Sequence, residues 1–311
     1  MKSSIWKSLA LSVLALMVLP ISKAAGQPKE FHSQTDSMTF WQAQRVSIAA
    51  LKYVRIQQGW HYEFINRNSI HLTIDSLEFD ASNTKHQHHY KLSFASIGKV
   101  STNCRPYRNL HFNLYNCSLI DQAGKKLQIS PDGEGNAHAD LLFWPSQGRI
   151  CGKDPGCLHA AVSFAAAFNR LQEFAADPAC PLRTFHQQVA TWRALNPKPP
   201  LPEAVRQQRL LAENALKEKQ PEEALNHYEA GLELYPTWPQ GCFNAALIAA
   251  ELGFYSQAVE HMQWYVELVP DAPDAKAARD QIVIWQDKAK QSSTNSGSRE
   301  RHDQAQYGTA H

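Results

Sequence analysis

The segment His86-Gln87-His88-His89 crowds three imidazoles into four residues. In an extended chain His86 and His88 share one face, and His71 or His111 from adjacent strands would extend them toward a metal-ligand set. No acidic or thiolate ligand stands at a matching interval, so the expectation is a solvated strand edge without a physiological metal. Cys151, Cys157 and His159 would form a fragment of a zinc site. The Asp154-Pro155-Gly156 turn signal between the two cysteines suits a local disulfide better. Asp75 with Glu78, and Asp132 with Glu134, are short-range carboxylate pairs, read as ordinary charges in strands and turns. No glycine-rich phosphate loop, G-x-S-x-G elbow or H-E-x-x-H helix occurs. The chain is therefore expected to be non-enzymatic, with no catalytic residue and no cofactor.

The elements around these residues point instead to binding. Ala224 and Ala258 lie 34 residues apart, and so do Pro236 and Pro270. Within the first interval Leu211, Ala212 and Ala215 form an apolar stripe, Pro221 opens a second helix, and Ala224 and Tyr228 continue it. Ala245, Ala246, Ala249, Gly253, Ala258 and Met262 do the same in the second. A 34-residue period with small residues at one phase and proline at another resembles the tetratricopeptide (TPR) repeat. The repeats read as 205–237 and 239–271, followed by an amphipathic capping helix to residue 290 that carries Ala278, Ile282 and Trp285. Gln208 and Cys242 stand where the ideal pattern has Trp. Cys242 is expected to be a buried free thiol. Segments such as Lys198-Pro199-Pro200-Leu201-Pro202-Glu203, Pro236-Thr237-Trp238-Pro239 and Leu268-Val269-Pro270-Asp271-Ala272-Pro273 resemble those of uncharacterised exported bacterial TPR proteins. That resemblance covers about the last third of the ordered chain and implies a fold rather than an activity. It also implies a concave groove lined by Arg206, Arg209, Glu213, Gln240, Phe243, Asn244 and Leu247. There the arginines would pair a carboxylate of an incoming protein or peptide, and Phe243 and Leu247 would seat an apolar side chain.

Upstream, residues 37–176 read as a β-rich domain. Ser37–Gln58 carries helical spacing in Phe40, Ala43, Ile48, Leu51 and Val54. The period then switches to two. The run from His71 through Phe79 reads as one strand with a bulge, followed by strands at 89–94, 110–119, 126–129 and 140–144. A helix over 158–175 places Ala161, Phe164, Phe168 and Leu171 on one stripe. Strands closed by such a helix resemble a pleckstrin-homology or GRAM-like domain, the likeness resting on Leu77-Glu78-Phe79, the Ile97-x2-Val100 step and Phe164-x3-Phe168-Asn169-Arg170-Leu171. The expected fold class is α+β: this small antiparallel domain, a helix and Pro-rich linker over 177–202, then the all-α repeat module over 203–290. Residues 291–311 are too polar to offset the entropy of ordering and are expected to form a disordered tail.

Compartment and charge narrow the partners. Lys2 and Lys7 precede an apolar run from Leu9 to Leu19, and Ser22-Lys23-Ala24 presents small residues to a signal peptidase. Residues 1–25 are thus expected to be an export signal, giving a periplasmic or secreted protein, with an uncleaved membrane anchor as the alternative. Six cysteines fit an oxidising compartment. Cys104 and Cys117 flank a hairpin and are expected to pair. Residues 26–200 hold 18 Lys/Arg against 13 Asp/Glu, and residues 201–290 hold 8 against 14. Opposite signs in the two halves mean either two different partners or two halves that attract each other. Lys91, Lys99, Arg105 and Arg108 could offer a patch to an anionic membrane surface. The dispersed charge and the export signal argue against nucleic acid.

Overall fold

Helix α1 (Phe40–Leu51) begins where the Thr39 hydroxyl accepts a hydrogen bond from the Gln42 amide at 3.0 Å, satisfying one of the orphan donors of a helix start. It buries Phe40, Trp41, Ala43, Gln44, Ser47, Ala50 and Leu51. The computed structural model describes residues 38–307, apart from 59–60, 67–68, 84, 110–111, 132–138 and 144–155. The expected export signal, Cys151, His111, Asp132 and Glu134 lie outside the described residues. All described residues fall in one unit, Thr35–His311.

The helix stops at Leu51 rather than continuing to Gln58, and the chain enters β1 (Val54–Gln58). Val54 and Ile56 satisfy both periods, and pairing decides between them. β1 lies between β2 (His61–Ile65) and β9 (Ala139–Phe143) with both residues buried. Strands β3 (His71–Leu72), β4 (Ser76–Ser82), β5 (Gln87–Ser93), β6 (Ser101–Asn109), β7 (Phe112–Ile120) and β8 (Gln128–Ile129) complete an antiparallel sheet. Its order is β3-β4-β2-β1-β9-β7-β6, with β5 also on β4 and β8 also on β9. The run over 71–79 is a hairpin, not one bulged strand: His71 pairs Glu78 and Leu72 pairs Leu77. Thr73 turns the chain, its hydroxyl accepting from the Ser76 amide at 3.0 Å and the Asp75 amide at 3.2 Å. Such side-chain turns mimic a backbone turn and are hard to separate from alternating polar residues. Cys104 and Cys117 are cross-strand partners on β6 and β7 and form a disulfide, as expected.

Helix α2 (Gly156–Ala176) packs on α1 and on β6, β7 and β9. Phe164, Phe168 and Leu171 are fully buried on the expected stripe. Asn169 binds the backbone of Val100 twice, accepting from its amide and donating to its carbonyl, both at 2.8 Å. Arg170 donates from Nε to the Met38 carbonyl at 2.9 Å. The residues singled out at Ile97-x2-Val100 and Phe164–Leu171 thus meet, and they anchor α2 to the sheet edge.

After a 3-10 turn (Pro181–Thr184) and α3 (Phe185–Ala194), residues 195–202 hold neither helix nor strand. Then come α4 (Glu203–Lys217), α5 (Pro221–Leu234), α6 (Pro239–Glu251), α7 (Tyr255–Leu268) and α8 (Ala275–Tyr307). Helices α4 and α5 pack together, as do α6 and α7, with α5 against α6 and α7 against α8. Helix α8 continues through 291–307, which composition assigned to a disordered tail.

The 34-residue interval is visible in backbone detail. Lys219 and Gly253 each follow a helix with positive φ, 59° and 81°. The next amides then reach back: Gln220 N–H to Ala215 C=O at 2.9 Å, and Phe254 N–H to Ala249 C=O at 2.8 Å. Both helices therefore end in the Schellman arrangement, which favours glycine at the left-handed position. Lys219 occupies that position at a cost of about 1 kcal/mol. Lys219→Gly is expected to raise the unfolding free energy by about 0.5–1 kcal/mol in urea denaturation. Between the hairpins Trp238, 4% exposed, fills the wedge. A Cβ at Gly241 would stand 2.2 Å from its ring, so glycine there lets the Trp238 ring lie against the first turn of α6. Cys242 and Cys180 are buried free thiols.

Candidate functional site

Each second helix of the two hairpins carries polar residues at core-facing phases. On α5 these are Asn226, Glu229 and Glu233, and on α7 they are Gln257, Glu260 and His261. The i, i+3, i+4, i+7 relation places each set on one face. Both faces meet α1. Arg45 lies between them, donating from Nη1 to Glu229 Oε1 at 2.5 Å and from Nη2 to Glu229 Oε2 at 3.0 Å. It also donates to Gln257 Oε1 at 2.7 Å and Asn226 Oδ1 at 2.9 Å, and its guanidinium lies 5.2 Å from the Phe254 ring centroid. Four hydrogen bonds from one planar fork are what arginine, and not lysine, can supply.

Glu229 is fully buried. Burial by itself would raise its carboxyl, but the Arg45 charge, with the nearby His261 and the Arg45 hydrogen bonds, outweighs this and holds it below the ordinary value. Thr39 donates its hydroxyl to Glu229 Oε2 at 3.0 Å. One turn on, Glu233 accepts the Phe40 amide at the N-terminus of α1. Burial pushes this carboxyl up to about 8, against the opposing Phe40 amide and Arg170 charge. Glu260 accepts from Trp41 Nε1 at 3.2 Å, and Gln257 donates to the Trp41 carbonyl at 2.9 Å. His261 is fully buried beside the Trp41 ring, 4.7 Å between centroids. Its Nε2 stands 3.6 Å from Glu229 Oε1, beyond hydrogen-bond range. A second link runs from His186 on α3 to Glu267 on α7 at 3.0 Å. Sequence reasoning missed this cluster. Its signal was Glu229 lying among Leu225, Tyr228 and Leu232, a carboxylate at a phase that otherwise holds core residues.

The seven groove residues lie on α4 and α6, the first helices of the hairpins. Arg206 and Gln240 are exposed, and Arg209, Phe243, Asn244 and Leu247 are half-buried. Arg206 already pairs Glu203 at 2.7 Å, and Arg209 approaches the exposed Glu213 at 3.7 Å. Asn244 donates to the Tyr228 hydroxyl at 3.0 Å, and Phe243 packs edge-on against Tyr265 at 5.0 Å. Both arginines thus stand beside a carboxylate of their own helix, in exposed pairs that exchange partners cheaply.

The histidine segment is organised around a carboxylate. Glu63, 1% exposed, stands 2.5 Å from His88 Nδ1 and accepts from the Tyr90 hydroxyl at 2.9 Å. His86 stacks on His88 at 6.0 Å, and His89 pairs Asp80 at 2.7 Å. Among the described residues no group of three or more His, Cys, Asp and Glu side chains gathers at metal-binding distance. The Asp75–Glu78 pair is divided between two cations: Asp75 meets Arg183 at 2.6 Å and Glu78 meets Lys91 at 2.6 Å. The hydrogen bond from Lys91 holds the Glu78 carboxyl below its ordinary value. Lys99 lies 3.9 Å from Glu173. Among the described residues no helix is long and apolar enough to cross a membrane.

No protein-family model matches the chain, and no curated protein matches it in sequence.

Proposed function

We propose that this chain is an exported, non-enzymatic scaffold whose TPR hairpins hold a protein or peptide partner in the groove formed by α4 and α6. The division of labour between the helix faces carries the reading. The second helices, α5 and α7, spend their polar residues on α1 through Arg45, Trp41 and Phe40. Among the described residues, the hydrogen bonds and ion pairs of Arg206, Arg209 and Asn244 stay within the helical array. A two-repeat array is short and needs a support. Docking by the second helices supplies that support while leaving the first helices to a ligand. The Cys104–Cys117 disulfide is compatible with export.

A second reading is favoured by the same junction: the basic and acidic halves pack together, and the array binds nothing specific. The two readings differ only at the groove. Replacing Arg206, Arg209 and Phe243 together with alanine, with circular dichroism unchanged, is expected to abolish partner recovery in cross-linking and pulldown of the mature protein. Equal recovery by the variant would sink the groove reading and leave the self-packing one. An anionic membrane surface has weaker support, because Lys91 and Lys99 already lie beside Glu78 and Glu173.

A further inference from the structure

A cleft of about 760 Å³ opens where α1, the β3–β4 hairpin and the start of α7 converge, a volume ordinary for a small-molecule site. It is separate from the α4–α6 groove. Its floor is aromatic: Trp41 and Trp264 meet edge to face at 5.6 Å, and Phe185 stacks behind Trp264 at 4.1 Å, fixing that indole in place. Glu260 stands at the same floor. One of its oxygens accepts from Trp41 Nε1 at 3.2 Å. The other accepts no hydrogen bond among the described residues.

The charges facing the cleft are unequal in their commitments. Arg45 is held bidentately by Glu229. His186 is bonded to Glu267 at 3.0 Å, and His71 stands on β3 opposite Glu78. Glu260 has no cation within ion-pair distance among the described residues. Burial pushes its carboxyl up from the ordinary value, with the His261 charge and the Trp41 hydrogen bond opposing. Cations already lie over two aromatic rings at the cleft, Arg45 at 5.2 Å from the Phe254 centroid and Lys288 at 5.3 Å from that of Tyr255.

We infer that this cleft binds a small organic monocation, an amine on an apolar body, with the ammonium against Glu260 and the apolar body along Ile70 and Leu72. Charge complementarity selects the occupant: a half-buried carboxylate in an aromatic-lined cleft favours an organic cation, and the apolar walls reject a strongly hydrated inorganic one.

Phenethylamine is the probe, with 2-phenylethanol and phenylacetate as neutral and anionic analogues of similar shape. Titration calorimetry of the full chain at pH 7.5 is expected to show binding of the amine at least tenfold tighter than of either analogue. Glu260→Gln keeps the acceptor for Trp41 and is expected to weaken the amine at least tenfold while leaving 2-phenylethanol unchanged. Ile48→Lys, at a cleft position 43% exposed, places a tethered cation at the mouth and is expected to weaken the amine without disturbing the fold. Equal binding of amine and alcohol would overturn the proposal. So would unchanged amine affinity in Glu260→Gln, or no heat at 10-fold molar excess with protein at millimolar concentration.

Discussion

Arg45→Met is expected to lower the unfolding free energy by about 3–5 kcal/mol, the usual loss when one partner of a buried ion pair is removed. The size follows from what remains. Glu229 is fully buried and would retain only Thr39 and a distant His261. Asn226 and Gln257 would each lose a donor. The folded protein would respond by protonating Glu229, so the variant should be least stable at high pH. Pairing Arg45→Met with Glu229→Leu should recover most of the loss, because replacing both partners by apolar groups of similar volume is often neutral. Arg45→Lys should fall between, keeping the charge but not the four-bonded fork. Urea denaturation of the parent, Arg45→Met, Glu229→Leu and the double variant closes a double-mutant cycle. A single-mutant loss below about 0.5 kcal/mol, the level of a surface substitution, would mean that Arg45 and Glu229 are not joined in solution. Because Arg45 links α1 to both α5 and α7, the Met variant should also loosen the C-terminal helical region, seen as faster amide exchange in α5 and α7 than in α2.

This junction explains how much of the molecule could be read in advance. The hairpins were legible because their information is local. A 34-residue interval, prolines at Pro221 and Pro239, and alanines at Ala224 and Ala258 each fix a feature within one unit. The helix 156–176 and the Cys104–Cys117 hairpin were legible for the same reason, since stripe and spacing define them. Strands β1 and β2 were not. Val54 and Ile56 suit a helix as well as a strand, and only the partners on β2 and β9, up to 89 residues away, decide. The β3–β4 hairpin was lost because a threonine turn leaves no Gly or Pro mark. Arg45 carries no local mark in the sequence. Its burial depends on Glu229, 184 residues later, and no periodicity connects two such positions. The groove residues were named from a repeat phase alone, and the contacts they make, such as Asn244 with Tyr228, arise between helices.

Glu233→Gln is expected to stabilise the protein, and by an amount that grows with pH. The Glu233 carboxyl is pushed up to about 8 in the folded protein, from an ordinary value of 4.5, mainly by burial. The groups facing it are the Phe40 amide, which donates to it, Arg170, and the like charge of Glu229 one turn away. Between those two pH values the unfolded chain releases a proton that the folded chain keeps. Stability contributed by this group is therefore complete below about pH 4.5 and declines as pH rises toward 8, at up to about 1.4 kcal/mol per pH unit. Glu229 works in the opposite sense: its lowered carboxyl contributes above the ordinary value and fails as acid protonates it. The two together give a stability maximum on the mildly acidic side, with Arg45–Glu229 limiting it below and Glu233 above. Glutamine reproduces the acceptor for Phe40 and the donor that the protonated acid supplies, without a titration. Glu233→Gln should therefore match the parent near pH 5 and exceed it by on the order of 3 kcal/mol at pH 8. Thermal and urea denaturation across pH 4–9 measures this directly. Superimposable profiles for the two proteins would show that Glu233 is ionised when folded, and that the Phe40 amide and Arg170 offset its burial without a shared proton.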